Sequence, residues 1–243
     1  MKILGVIPAR FSSTRFPGKP LIDIGGKTMI QRVYEQALKA RCLEKVVVAT
    51  DDDRIAKVVE EFGGNVIMTS TTHKSGTDRC AEVAKVYRNY DAIINIQGDE
   101  PFIHPEQINY VGHCFRDEET QIATLVKKIT SNDELFNENV PKVVVGNRKA
   151  LYFSRWPIPY IRDIEDDLWL SNHTYFKHIG IYGYKWDVLI KIARMAPSSL
   201  ETAESLEQLR WLENGYSVTV DETPFESIAI DTPEDLIKVE SLI

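Results

Sequence analysis

Only three cysteines occur in 243 residues, Cys42, Cys80 and Cys114, and no two of them form a C-x-x-C pair. An odd, scattered set argues against a disulfide framework or a cysteine-built zinc site and points to a reducing compartment. No apolar run approaches the roughly 18 residues of a membrane span. The apolar stretch at the start is cut by Pro8 and Arg10, too early for a signal-peptide core. A cytoplasmic location with no membrane insertion is therefore expected. Positive charge is also scarce: 29 Lys and Arg face 36 Asp and Glu, a net charge of −7. That argues against a nucleic-acid partner, whose binding needs a basic surface. A small polyphosphate remains compatible, because a local basic loop and a divalent metal can hold one on an acidic protein. Neither G-x-x-x-x-G-K-[ST] nor G-x-G-x-x-G occurs, which disfavours a P-loop ATPase and a Rossmann dehydrogenase.

What is present is an alternation of short apolar runs and helical stretches. Ile3–Ile7, Lys45–Ala49, Asn65–Met68 and Ala92–Ile96 read as buried strands, and Thr28–Ala40, Asp52–Phe62 and Gly76–Tyr87 as the helices between them. Gly63 and Gly64 end the second helix. The pattern predicts an α/β fold, a mostly parallel twisted sheet flanked by helices, with ligands beyond the carboxyl ends of the strands. The second half is less regular. Ile122–Ile129, Lys142–Val145, Ala150–Ser154 and Tyr175–Tyr184 read as strands, Thr202–Glu213 as a helix and Thr232–Leu242 as a closing helix. Asp163–Asp167 reads as an exposed excursion. Residues 1–243 are thus expected to form one domain with a smaller β-rich lobe within about 122–184.

Chemistry-bearing residues follow the first and fourth strands. Arg10, Arg15 and Lys19 lie in a loop of small residues, and the first 22 residues contain four basic side chains and no acidic one. Such a loop can approach and neutralise an anion. Gln97-Gly98-Asp99 follows the fourth strand, where a carboxylate can hold Mg²⁺ against a phosphate; Glu100 can instead face solvent. Asp231 can be a second metal ligand, or Asp231 or Thr232 can simply cap the last helix. His73-Lys74-Ser75-Gly76-Thr77 opens a helix and can read a base or ribose, or only cap it. Arg155 and His178 can bind a carboxylate, and Glu207 and Gln208 sugar hydroxyls.

These residues fall in IPARFSSTRFPGKPL, VVVATDD, HKSGTDR, INIQGDEPFI, ALYFSR, KHIGIYGY, LEQLRWLENG and IDTPEDL. In this order, and over nearly the whole chain, the segments resemble the 3-deoxy-manno-octulosonate (Kdo) cytidylyltransferase family. The resemblance implies a nucleotidyltransferase fold, a homodimer joined through the β-rich lobe, and transfer of CMP from CTP to Kdo for lipopolysaccharide biosynthesis. It implies Arg10, Lys19 and Asp99 as catalytic residues, and Asp99 and Asp231 as ligands of Mg²⁺. Ala9, Arg10, Ser13, Lys19, His73, Ser75, Gly76, Thr77 and Gln97 would meet the nucleotide. Gln97, Arg155, His178, Tyr182, Glu207 and Gln208 would line the sugar pocket. Asn139-Val-Pro141-Lys142 and the Trp156–Pro159 stretch depart from the family pattern beside that pocket, which leaves an 8-amino analogue of Kdo as an alternative sugar; N-acylneuraminate on the same fold, or a non-catalytic nucleotide-binding regulator, are the other readings.

Overall fold

The protein is described by a computed structural model covering residues 1–12 and 16–239, without the side chains of 237–239. Chain order is β1 (Ile3–Ala9), a hairpin of β2 (Asp23–Ile24) and β3 (Lys27–Thr28), α1 (Met29–Leu38), β4 (Lys45–Thr50), α2 (Asp53–Glu61), β5 (Val66–Met68), α3 (Gly76–Val86) and β6 (Ala92–Asn95). Then come α4 (Pro105–Cys114), β7 (Ile122–Lys128), α5 (Asn132–Leu135), β8 (Lys142–Gly146), β9 (Lys149–Ser154), α6 (Trp169–Asn172) and β10 (Phe176–Lys185). The chain ends with α7 (Trp186–Ile192), α8 (Ser199–Glu204), α9 (Gln208–Glu213), β11 (Val218–Glu222) and α10 (Pro233–Val239).

β5, β4, β1 and β6 lie side by side and are parallel, and the inner strands β4, β1 and β6 are buried on both faces. Leu4 and Val6 of β1 join one apolar cluster, Ile3 and Ile7 the other. Period-two alternation therefore feeds two cores, and helices must cover both sides. Helix α1 begins where Thr28 Oγ1 accepts Gln31 N–H, and it buries Met29, Ile30, Val33, Tyr34 and Ala37 along one face. Helix α2 starts on the Asp52 cap and is followed by Gly63 at φ 78°, a left-handed residue that glycine adopts without strain. After β1 the chain winds outward to β4 and β5, then crosses back to β6 on the other side of β1. The crevice between the carboxyl ends of β1 and β6 is the point where winding reverses, and ligands bind at such points.

The parallel character predicted for the first half holds in these four strands, and the β-rich part that follows is mostly antiparallel. β10 runs antiparallel to β6, β7 and β8, and β9 runs antiparallel to β8 and β11; only β7 and β11 are parallel there. β10, β7, β11, β9 and β8 pair in a closed circuit, because the start of β10 also reaches β8 at Phe176 and Lys177. The β-rich part is thus continuous with the parallel sheet through β10. The excursion's acids are exposed, yet Trp169 beside them is buried with Ile129, Leu135 and Tyr175 in a small core of its own. The helix expected over Thr202–Glu213 is two helices: a Ser198–Glu201 capping box starts α8 early, and left-handed Ser205 (φ 51°) ends it. The last helix lies within the expected Thr232–Leu242, whose final residues fall outside those described.

Candidate active site

A cleft of about 430 Å³ opens at the ends of β1 and β6. Pro8, Ala9 and Arg10 form one wall, Gln97, Gly98 and Asp99 another. Gly98 is required by close approach, since a β-carbon there would lie 2.6 Å from Pro8 O. The loop after β1 returns through Gly18, whose left-handed φ of 72° and N–H bond to Phe11 O (2.9 Å) turn the chain into a short 3₁₀ turn beginning at Lys19. Ser13 and Arg15 lie outside the described residues.

Lys19 Nζ donates to Asp99 Oδ2 at 2.8 Å and to Asp231 Oδ1 at 3.0 Å. Burial alone would lower the ammonium's pKa, but Asp99 and then Asp231 outweigh it and hold the group above its usual value. Asp231 reaches this point because Ile230 N–H donates to Asp99 O at 2.9 Å. At the start of α10, Asp231 N–H, Thr232 N–H and the Thr232 hydroxyl all donate to the Asp235 carboxylate. Asp235 therefore performs the capping-box duty three residues into the segment, while the Asp231 carboxylate lines the cleft.

Two carboxylate oxygens converging on one cation form a hard-oxygen pair. Among the described residues no group of three or more His, Cys, Asp or Glu could cage a metal. Such a pair fits Mg²⁺, which is held by one or two carboxylates and completes its shell with water and substrate phosphates.

Helix α3 presents its amino end to the same cleft. Ser75 caps it in a reciprocal box with Asp78, and Ser75 and Gly76 line the cleft. Thr77 is buried and its hydroxyl donates to Glu207 Oε2 at 2.9 Å. His73 is not brought to this cleft: its Nε2 pairs with Glu82, and it lines a second hollow with Lys74 and Lys85. Sequence reasoning missed Arg79, which lines the cleft while its buried guanidinium pairs with Thr69 and with Asp51 (2.9 Å). Arg79 and Asp51 fall within two of the family-like segments, TDR and ATDD, so a signal was present.

Toward β10, Gln97 Nε2 donates to Gly180 O at 2.8 Å, where a bulge between Ile179 and Tyr182 breaks the pairing with β7. Arg155 is a clamp: its Nε, Nη1 and Nη2 donate to Glu204 O (2.6 Å), Glu138 O (3.1 Å) and Ser205 O (3.2 Å). Three of the five N–H bonds that a guanidinium carries are thereby committed. His178 packs against Phe153 and Tyr182, and burial lowers its pKa to about 3. The Thr124 hydroxyl spends its proton on Ile181 O (2.7 Å), so His178 Nε2, 2.9 Å away, is the donor to Thr124 and Nδ1 is the bare acceptor. Held neutral by burial, the ring adds no positive charge beside a carboxylate. Tyr182 Oη and Gln208 Nε2 are buried with no partner among the described residues. Burial raises the Glu207 carboxyl, against the opposing Thr77 hydroxyl and Arg210 charge.

Glu100 does not face solvent. It is 5% exposed, and burial first, then the Asp99 charge, push its carboxyl up to about 7 against the Ser227 hydroxyl.

A profile of the cytidylyltransferase family matches residues 4–228. The 3-deoxy-manno-octulosonate cytidylyltransferase of Parabacteroides distasonis is 59% identical over 98% of this chain and 96% of that protein. This chain belongs to that family. A 3-deoxy-manno-octulosonate cytidylyltransferase of Bacteroides thetaiotaomicron is 56% identical over 100% of this chain and 98% of its own length. A solved CMP:2-keto-3-deoxy-manno-octonic acid synthetase complexed with CTP is 45% identical, with a TM-score of 0.92 over 100% of this chain and 98% of that one. As a member of the 3-deoxy-manno-octulosonate cytidylyltransferase family, the chain is an enzyme, and its cleft at the β1–β6 switch point is the candidate site of nucleotide transfer.

Proposed function

We infer that this enzyme transfers CMP from CTP to the anomeric 2-hydroxyl of Kdo, releasing pyrophosphate. The observation that carries the reading is Lys19 held between Asp99 and Asp231 at the mouth of a cleft walled by Ala9, Arg10, Ser75 and Gly76. Such a transfer needs positioning and charge neutralisation more than covalent catalysis. Arg10 and Lys19 neutralise the triphosphate, and the small residues Ala9, Gly76 and Gly98 let backbone approach it. Ser13 and Thr77 belong to the same proposal, Thr77 acting through its bond to Glu207. Asp99 and Asp231 would hold Mg²⁺, which when bound supplies charge neutralisation on the phosphates and polarises the attacking hydroxyl.

The sugar lies toward β10. Gln97, Tyr182 and Gln208 offer donors to its hydroxyls, the last two through buried polar atoms that have no other partner among the described residues. His178 Nδ1 accepts a hydroxyl, and Glu207 does the same on the far side of Thr77. Arg155 meets the sugar carboxylate with the N–H bonds its backbone contacts leave over. The three free thiols fit a reducing cytoplasm. For a second copy of the chain we assign the exposed apolar surface of the β-rich part, where Trp156 contacts Phe136, Phe136 contacts Trp169, and Trp169 contacts Tyr160.

Pyrophosphate release across a panel of nucleoside triphosphates and acidic sugars tests the reading. Release is expected with CTP and Kdo; none with CTP and any 2-keto acid sugar would refute it.

A further inference from the structure

Asp99 and Asp231 sit on two segments that no strand pairing joins among the described residues, and besides their shared Lys19 two cross-links there hold those segments together. One is the backbone bond from Ile230 N–H to Asp99 O. The other runs through Glu100. This side chain is buried and forms no part of the cleft wall, and its Oε2 accepts the Ser227 hydroxyl at 2.9 Å. Ser227 Oγ in turn accepts from Gln107 Nε2 of α4 at 3.4 Å, and Gln107 is itself buried. On its other side Glu100 is bounded by the β10 bulge: a β-carbon at Gly180 would stand 3.8 Å from Glu100 Oε1, and Gly180 O takes the Gln97 amide. Three segments therefore meet at one carboxyl: the loop that carries Asp99, the strand between His178 and Tyr182, and the stretch that leads to Asp231.

Burying a carboxyl is costly unless it is well bonded, and this one's hydrogen-bond partner lies on the segment that delivers Asp231. We propose that Glu100 is a positioning residue for the transfer, fixing through Ser227 the separation of Asp99 and Asp231 around Lys19. It touches no substrate. The proposal rests on the role given above to the two aspartates, so Asp99→Asn and Asp231→Asn are measured alongside.

The variants are Ser227→Ala, Glu100→Ala, Glu100→Gln and the double Glu100→Ala/Ser227→Ala, each assayed for kcat and both KM values per folded molecule, with Tm in parallel. Removing the cross-link should lower kcat about ten-fold or more, since an ångström of misplacement can cost up to about a hundred-fold. The KM for the sugar should hardly change. The double variant should be no worse than Glu100→Ala, because the two residues act as one unit. Glu100→Gln keeps an acceptor oxygen for Ser227 and should restore most of the turnover. Ser227→Ala, which loses only a hydroxyl, keeps the test open if Glu100→Ala does not fold. Wild-type kcat per folded molecule in Ser227→Ala, whatever its Tm, overturns the proposal while leaving the aspartates' role standing. Full turnover in Asp99→Asn and Asp231→Asn would overturn both.

Discussion

The Lys19 ammonium stands 2.8 Å from Asp99 Oδ2 and 3.0 Å from Asp231 Oδ1, so that one cation closes two carboxylates from opposite parts of the chain. A divalent cation seeking the same oxygens has to compete with it. Lys19→Met should therefore bind Mn²⁺ about ten-fold or more tightly in the absence of CTP, and turn over about ten- to hundred-fold more slowly, since a charge-assisted contact is worth roughly 1.5–3 kcal/mol. Paramagnetic resonance of free Mn²⁺ reads the first effect and pyrophosphate release the second. Unchanged Mn²⁺ affinity would mean that Lys19 does not occupy the cation's place.

Asp231→Asn separates ligand from helix punctuation. Asn caps about as well as Asp, and the capping bonds here run to Asp235, so Tm should stay near wild type while turnover collapses and added Mg²⁺ rescues little. Asp99→Asn should behave alike, with the double variant scarcely worse than either, because residues serving one ion are not additive. Full activity in Asp231→Asn would return the residue to a local structural role.

Arg155→Ala should act twice. The sugar KM should rise about ten- to hundred-fold for one lost charged contact, with the CTP KM little changed. Tm should also fall, because Glu138, Glu204 and Ser205 carbonyls lose their guanidinium donor. A lower Tm with an unchanged sugar KM would make Arg155 a clamp alone.

His178 carries a pH dependence of defined sign. Its folded pKa is about 3, whereas the unfolded imidazole takes up a proton near pH 6.5. Between those values the unfolded chain binds more protons, so the contribution of the neutral ring is fully present above about pH 6.5 and is lost as pH falls toward 3. Urea titrations should give His178→Gln a shallower acid-side slope than wild type, by up to about 1.4 kcal/mol per pH unit. Equal slopes would show that the ring is not held neutral.

The apolar surface at Trp156 and Tyr160 predicts a dimer. Sedimentation should give about twice the chain mass for wild type, and Trp156→Glu should shift the balance toward monomer, since a charge buried in an interface is costly without a partner. A wild-type monomer at micromolar concentration would count against this surface.

Much of the site's location was legible along the chain. The apolar runs of β1, β4 and β6 are buried on both faces, so short unbroken hydrophobic stretches reported them, and the crossovers put the chemistry at their carboxyl ends. The basic loop, the Gly98-Asp99 turn and Ser75-Gly76 were readable because each lies within a few residues of a strand end or helix start. Local pattern could not decide between roles that share a pattern. A carboxylate before a helix looks the same whether it caps or binds, and Asp231 was resolved only by its approach to Lys19.

The sequence by itself determined the α/β winding, the place of the cleft and the family, because these follow from periodicity and from motifs spread over nearly the whole chain. Tertiary structure alone decided that His73 turns to Glu82, that Arg155 spends three donors on carbonyls, that Arg79 pairs with Asp51, and that Glu100 is buried against Ser227. It also closed β10, β7, β11, β9 and β8 into a circuit, where the sequence indicated only a β-rich lobe. The physical reason is common to all of these. Whether a polar side chain faces solvent, backbone or ligand depends on what distant segments pack against it, and hydrogen-bond partners up to 212 residues apart leave no trace in local spacing.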